Sequence, residues 1–237
     1  MDGDRASSID RIHGAALDFL FPRFCVGCGK EGAFICKSCR TTLSQIESPV
    51  CPKCGKPQIN ESLCSGCVNW EADIDGIRSV FRFEGVIRKA IHEFKYKKLR
   101  TITADLAQLL NKYLVENPIP CELLVPVPLH HKRLKERGYN QSALLVKELG
   151  KFAGLPVNEL TLLRSSYNLP QAKTANVEER KQNVSGVFYC PDEVLHDKQV
   201  LLIDDVATSG ATLNACALAL KTAGVKSVWG LTLAREI

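Results

Sequence analysis

The 237-residue chain contains no apolar run approaching the roughly 18 residues that a membrane-crossing helix needs. It has no basic leader followed by an apolar block; Asp2, Asp4 and Asp10 stand at that end instead. The expectation is no secretion signal, no membrane insertion and a cytoplasmic location. No Gly-Lys-Ser/Thr closes a glycine-rich loop, which excludes a Walker A nucleotide site, and no G-x-G-x-x-G is present, which excludes the dinucleotide fingerprint. There is no internal repeat beyond a doubled cysteine pattern. Residues 22–70 are poor in large apolar side chains and rich in Cys, Gly, Pro, Ser and Lys, so they cannot build a core and need a staple.

What is present starts with cysteine. Of eleven, eight lie between Cys25 and Cys67 in four Cys-x-x-Cys pairs, while Cys121, Cys190 and Cys216 are scattered among apolar residues. Cys25 and Cys28 are followed by Cys36 and Cys39; Cys51 and Cys54 are followed by Cys64 and Cys67. In a reducing compartment such pairs read as metal ligands rather than disulfides. Each knuckle aims two sulfurs at one ion, and two knuckles complete a closed tetrahedral zinc site. Two structural zinc ions are expected. Disulfides and an iron–sulfur cluster are the alternatives; the first lacks an export signal, and the second favours more crowded cysteines. Neighbouring knuckles pair most simply, with interleaved pairing open. The module is either a folded appendage or a contact surface for nucleic acid or protein. The formal charge is +5; eight thiolates holding two divalent ions would lower it to +1, so global basicity is not established.

The organisation follows. Ile9, Ile12, Ala16, Leu17 and Leu20 place an amphipathic helix over residues 7–21, within an N-terminal segment 1–22. The zinc module spans 23–70, and a third unit spans 71–237. In that unit strands are expected at Ile77–Phe83, Leu123–Val127, Gly186–Tyr189, Val200–Ile203 and Val225–Leu233. Helices are expected along the Val86–Phe94 stripe and over Ile102–Val115, Asn140–Phe152 and Ala211–Ala223. This alternation predicts an α/β domain with a mainly parallel sheet and flanking helices. Residues 155–185 have weak periodicity, and a connection this long is usually functional or mobile.

The segment from Val200 to Thr212, Val-Leu-Leu-Ile-Asp-Asp-Val-Ala-Thr-Ser-Gly-Ala-Thr, carries the chemistry. Four apolar residues make a buried strand, and ligands bind at the carboxyl ends of parallel strands. The loop then enters a helix, whose free N–H groups and positive dipole end suit a phosphate. Small residues let the backbone approach it, and Thr208, Ser209 and Thr212 add hydroxyl donors. Asp204 and Asp205 would repel a second phosphate but can accept hydrogen bonds from two sugar hydroxyls. One loop can thus hold a ribose 5-phosphate by both ends. The bland alternative is a capped strand–turn–helix with solvated acids. The motif resembles the phosphoribosyl-diphosphate (PRPP) signature of type I phosphoribosyltransferases. That resemblance assigns Asp204 and Asp205 to the ribose hydroxyls and Ala207, Thr208, Ser209, Gly210, Ala211 and Thr212 to the 5-phosphate. Ala207 is smaller than the aliphatic residue often found there.

Further blocks sharpen the match: Val125-Pro-Val-Pro-Leu129, His130-His-Lys-Arg133, Arg137-Gly-Tyr-Asn-Gln141, Lys95-Tyr96, and Gln171, Arg180, Asn183 and Gly186-Val-Phe188. With the four knuckles upstream, the chain from about Cys25 onward resembles the ComF family of bacterial competence proteins. The resemblance implies a zinc ribbon followed by a type I phosphoribosyltransferase domain, and a role in natural transformation or handling of imported single-stranded DNA. Lys132, Arg133 and Arg137 after a rigid proline turn suit a diphosphate leaving group, with an exposed basic loop and helix start as the alternative. Asp204, Asp205, Arg133 and Arg137 form the expected catalytic set, and Lys95 is placed near PRPP. Arg164, Gln171, Arg180 and Asn183 lie where type I enzymes carry a loop that closes over substrate. Magnesium is expected with PRPP. Arg88, Lys89, Lys95, Lys97, Lys98 and Arg100, interleaved with Phe94 and Tyr96, either track a nucleic-acid backbone or form a solvated helix face. Expected partners are therefore PRPP, single-stranded DNA, and a DNA-uptake helicase or other competence protein. An enzyme, a DNA-handling protein with PRPP as regulatory ligand, and a scaffold recruiting a helicase remain in competition.

Overall fold

The structure, a computed structural model, describes residues 22–96, 99–165 and 187–237. The expected helix over 7–21, together with Lys97, Lys98, Gln171, Arg180 and Asn183, lies outside the described residues. Along the chain come two short helices, α1 (Lys37–Arg40) and α2 (Ser65–Val68), then β1 (Gly76–Arg82), α3 (Gly85–Tyr96), a 3-10 turn at Arg100–Ile102 and α4 (Thr103–Glu116). β2 (Leu123–Pro126), α5 (His131–Arg137), α6 (Gln141–Ala153), β3 (Leu163–Arg164) and β4 (Phe188–Tyr189) follow, then β5 (Gln199–Ala207), α7 (Ala211–Thr222) and β6 (Ser227–Arg235).

β1, β6, β5 and β2 pair in that order, all in parallel. Alternation along each strand sends successive side chains to opposite faces. Leu201 and Ile203 join Leu231 and Leu233 under α3, α4 and α6; Val200 and Leu202 join Val228 under Leu213, Cys216, Ala217 and Leu220 of α7. Both faces are covered, which is why these strands read as continuous apolar runs. The carboxyl ends of all four strands therefore share one edge.

Three expectations shift. β5 does not stop at Ile203. It continues through Asp204 and Asp205 to Ala207, because long β6 keeps pairing beside it, Asp204 with Thr232 and Ala207 with Arg235. The strand expected at Gly186–Tyr189 is outside the central sheet: Phe188 and Tyr189 pair antiparallel with Arg164 and Leu163, one strand on either side of residues 166–186 in the chain. The basic run after His130, expected as a loop and helix start, is helical already from His131. His130 Nδ1 accepts from Lys132 N at 3.3 Å at its start, and Gly138, at φ 77°, ends it by donating its N–H to the Leu134 carbonyl.

The cysteine-rich region closes the free edge of β1. Ile46 N donates to the Val80 carbonyl at 2.9 Å, and Arg82 N to the Ser44 carbonyl at 2.8 Å. Further along the same edge, Ile77 N donates to the Lys53 carbonyl at 2.8 Å. An uncovered edge strand is a template for unwanted pairing, and this contact removes it.

Candidate functional site

The loop after β5 is built by steric need. Gly210 sits at φ 86°, a left-handed conformation, at the head of α7. A Cβ there would lie 2.7 Å from Ile77 Cδ1, so glycine is required twice over. Ser209 Oγ accepts from Ala211 N at 3.3 Å, and Thr208 and Ser209 are exposed. The loop is thus drawn tight around the first turn of α7, where N–H groups have no intrahelical acceptor.

A cleft of about 280 Å³ opens beside it. Lys95, Arg133, Arg137, Arg164, Asp204, Asp205, Thr208 and Thr212 line it, from α3, α5, β3, β5 and the loop. The Lys95 ammonium lies 2.7 Å from Asp205 Oδ1. Asp204 Oδ1 accepts from Ser142 Oγ at 2.9 Å and from Asp205 N at 2.8 Å. The adjacent acids therefore have different surroundings. Burial, and then the neighbouring Asp205 carboxylate, push Asp204 up to about 7. Asp205 has a cation beside it. The arrangement offers two carboxylate groups at the strand end, flanked by cations that can face an anionic ligand.

Arg137 is buried and held: Nη1 donates to Gln141 Oε1 at 3.0 Å, Nη2 to Tyr96 OH at 3.3 Å, and the guanidinium stacks on the Tyr96 ring at 4.9 Å. Arg133, four residues earlier on α5, is exposed at the cleft mouth. The rest of the 137–141 block is structural. Tyr139 OH donates to the Phe94 carbonyl, and Arg100 stacks on the Tyr139 ring at 4.4 Å. Asn140 caps α6 by accepting from Ser142 N at 3.1 Å and donates to the Val127 carbonyl at 3.0 Å. Arg164 stacks on Phe188 at 5.1 Å, where β3 pairs with β4. Ser142 and Phe83 belong to this site and were not singled out by sequence, and Tyr96 and Gln141, which also belong to it, stood in the blocks of the family resemblance without a role of their own. Ser142 and Gln141 had a usable signal, because they follow a capping Asn on a helix that starts at the strand-end edge.

The described cations between Arg88 and Arg100 do not form one stripe. Lys95 faces the cleft, Arg88 lies over the Phe83 ring at 5.9 Å, Lys89 Nζ donates to the Gly27 carbonyl at 3.5 Å, and Arg100 is on Tyr139.

The eight cysteines form two groups, Cys25–Cys28–Cys36–Cys39 and Cys51–Cys54–Cys64–Cys67, each with its sulfurs within 4.8 Å of one another. Neighbouring knuckles therefore pair, and interleaving does not occur. Thiolates at ~2.3 Å from a tetrahedral zinc would stand roughly 3.8 Å apart. Cys28 Sγ and Cys36 Sγ are 3.6 Å apart, as are Cys54 Sγ and Cys64 Sγ. Backbone N–H groups support the sulfurs, Cys36 N to Cys25 Sγ at 3.4 Å and Cys64 N to Cys51 Sγ at 3.5 Å. A hydrogen bond with Ser38 draws Cys36 down to about 6, whereas burial lifts Cys39 to about 12. The donor set fits two structural zinc sites, with no position left for substrate.

A parallel α/β sheet with a strand-end loop and acid pair, preceded by two four-cysteine ribbons, defines the class of protein. The double zinc ribbon domain family matches residues 16–68. Over 213 residues the chain is 30% identical to competence protein F of Haemophilus influenzae, covering 84% of this chain and 90% of that one. It is 29% identical over 213 residues to competence protein ComFC of Bacillus subtilis, covering 85% and 84%. The chain belongs to the ComF family. Among solved structures, glutamine PRPP amidotransferase from B. subtilis, complexed with ADP and GMP, aligns over 55% of this chain and 26% of its own, at 18% identity and a TM-score of 0.41. Among the described residues, no helix is long and apolar enough to cross a membrane.

Proposed function

We propose that the 71–237 unit binds magnesium PRPP in the cleft and transfers its 5-phosphoribosyl group to an acceptor, releasing diphosphate, in the handling of DNA taken up by the cell. The observation that carries this reading is the convergence at one strand end of Asp204, Asp205, Lys95, Arg133, Arg137 and the Thr208–Thr212 loop. The competence role follows the names of the relatives.

In this reading the 5-phosphate sits against the loop and the first turn of α7. The ribose hydroxyls donate to Asp204 and Asp205. The C1–O bond breaks with its electron pair leaving on diphosphate, and an acceptor lone pair forms the new bond at C1. Arg133 at the cleft mouth, with Arg137 behind it, offsets the leaving charge. Lys95, paired with Asp205 Oδ1, holds that carboxylate in place for its hydroxyl until substrate arrives. Arg164 stands at the base of the segment that would close over the sugar, with Gln171, Arg180 and Asn183 farther along it.

Calorimetric titration of magnesium PRPP, followed by diphosphate release across a panel of nucleobases and single-stranded DNA, tests the proposal. Release that needs one acceptor and vanishes in an Asp204→Asn/Asp205→Asn double variant is expected. Binding without release across the whole panel would favour a DNA-handling protein with PRPP as regulatory ligand. Absence of binding would sink the reading.

A further inference from the structure

Arg235 ends β6, where a charged side chain would ordinarily reach solvent, yet it is 1% exposed. Its guanidinium forks between two backbone carbonyls from distant parts of the chain. Nη1 donates to the Cys54 carbonyl at 2.5 Å, and Nη2 to the Thr208 carbonyl at 3.4 Å. Cys54 belongs to the second four-cysteine group, and Thr208 to the loop. Nε is buried with no hydrogen-bond partner. Two neutral carbonyls do not balance a buried cation, and burying an unbalanced charge is costly. Four thiolates around a divalent zinc carry a net −2, which supplies the missing counter-charge.

We infer that Arg235 is a positioning residue that ties the second four-cysteine group to the phosphate loop, so that metal at Cys51, Cys54, Cys64 and Cys67 and PRPP at Thr208–Thr212 stabilise each other's binding. The inference rests on the PRPP reading above. A trans peptide is planar, with its C=O and following N–H pointing opposite ways. Holding the Thr208 carbonyl on Arg235 therefore turns the Ser209 N–H away from Arg235, toward the outer side of the loop where a phosphate would lie. A Thr208 peptide released from Arg235 could rotate and present its carbonyl oxygen to the anion instead.

Two other contacts end on the same group. Gly210 approaches Trp70, whose Cη2 would lie 3.4 Å from a Cβ at that glycine, and Trp70 N donates to the Cys67 carbonyl at 3.3 Å. Asn214 Oδ1, in the first turn of α7, accepts from Asp73 N at 2.8 Å and Ile74 N at 3.2 Å, in the segment just after the group. The first four-cysteine group docks elsewhere, on α3 and α4, through Lys89 and through Arg40, which lies 2.7 Å from Asp105. Coupling is reciprocal by linkage, so it must be visible from both ends.

The test uses the full chain loaded with two equivalents of zinc. Zinc release to a chelating dye is followed with and without saturating magnesium PRPP, alongside tryptophan emission, since Trp70 packs on the second group. Binding of PRPP is measured separately by calorimetry. The expected result is that PRPP slows release of one zinc equivalent about tenfold, the equivalent whose loss changes the emission, and leaves the other unchanged. Arg235→Lys keeps both zinc ions and the circular dichroism spectrum, binds PRPP about tenfold more weakly, and loses the protection even at saturation. If this variant does not fold, the wild-type release profile decides alone. PRPP that binds wild type but slows neither equivalent, or slows both alike, overturns the inference and leaves the PRPP reading standing. A wild-type protein that does not bind PRPP overturns both.

Discussion

The two four-cysteine groups share one ligand pattern and differ in what surrounds them. Around the first, Cys25, Phe34, Ile35 and Cys39 are buried in the same apolar cluster as Val80, Phe81, Ile87 and Phe94. Around the second, Cys51, Cys54 and Cys67 form a small cluster of their own with Cys64 and Trp70. Apart from Trp70, which also packs on the core under α7, its attachments to the sheet are polar and directional: Lys53 to Ile77, Arg78 Nη1 to the Pro52 carbonyl at 2.9 Å, and Arg235 to Cys54. Apolar burial is non-directional and stabilises in proportion to area, whereas hydrogen bonds fix orientation at modest net energy. The first group is thus part of what holds the sheet together. The second is placed to set the geometry of its neighbour.

The largest expected effect separates the two directly. Cys39→Ser removes a ligand inside the main core and should lower the melting temperature by about 10 °C or more, in keeping with core lesions of ~3–5 kcal/mol. Cys67→Ser should lose one zinc equivalent while the sheet keeps its circular dichroism signal, with a melting shift less than half as large and weaker PRPP binding. Metal analysis, scanning calorimetry and PRPP titration on both variants read this out. Equal melting shifts would mean that the groups are equivalent supports and would break the comparison.

Much of this was legible in the chain. The matched knuckles named both metal groups, because sulfur ligation needs cysteine at fixed spacing and nothing else substitutes. Val200–Ile203 named the central strand, and the loop residues after it named the strand-end site. The surroundings were not legible. His131–Arg137 has only Leu134 among its seven residues to suggest an apolar stripe, and its helix is fixed by the His130 cap and the Gly138 stop. Arg235 lies beyond the strand expected at Val225–Leu233; only the pairing of β6 with β5 brings it beneath Thr208. Tyr96 became a site residue because α3 ends at the sheet edge where α6 begins, a fact about packing, whereas Gln141 and Ser142 carried the local signal of a capped helix start.

A lesion in the site itself sharpens the comparison from the other side. The folded-state value of about 7 for Asp204 stands above its ordinary 3.8, so the folded chain holds that proton more tightly than the unfolded one. The resulting stability is full below about pH 4 and is lost as pH rises through 7. Asp204→Asn removes the ionisation. The variant should melt a few degrees above wild type at pH 8, show a flatter stability profile between pH 4 and 8, and lose PRPP affinity by about a hundredfold. Both zinc equivalents should remain. A variant that released zinc, or melted lower at pH 8, would show that Asp204 supports the fold rather than burdening it.

The smallest expected effect tests why the first group counts as core. Its shorter polar tether is Arg40, with Nη2 2.7 Å from Asp105 and Nε donating to the Ile35 carbonyl at 3.1 Å, beside the longer Lys89 contact to Gly27. The Arg40 side chain is 37% exposed, and exposed ion pairs contribute about 1 kcal/mol or less after screening. Ile35 beside it is 1% exposed, and cutting such a side chain to alanine costs about 2–5 kcal/mol. Arg40→Ala should therefore shift the denaturation midpoint only slightly, and less still in high salt, while Ile35→Ala shifts it several times further at any salt concentration. The reverse ranking in urea titrations would mean that the first group, like the second, is held by directional polar contacts, and the difference between the two would lie only in what each one touches.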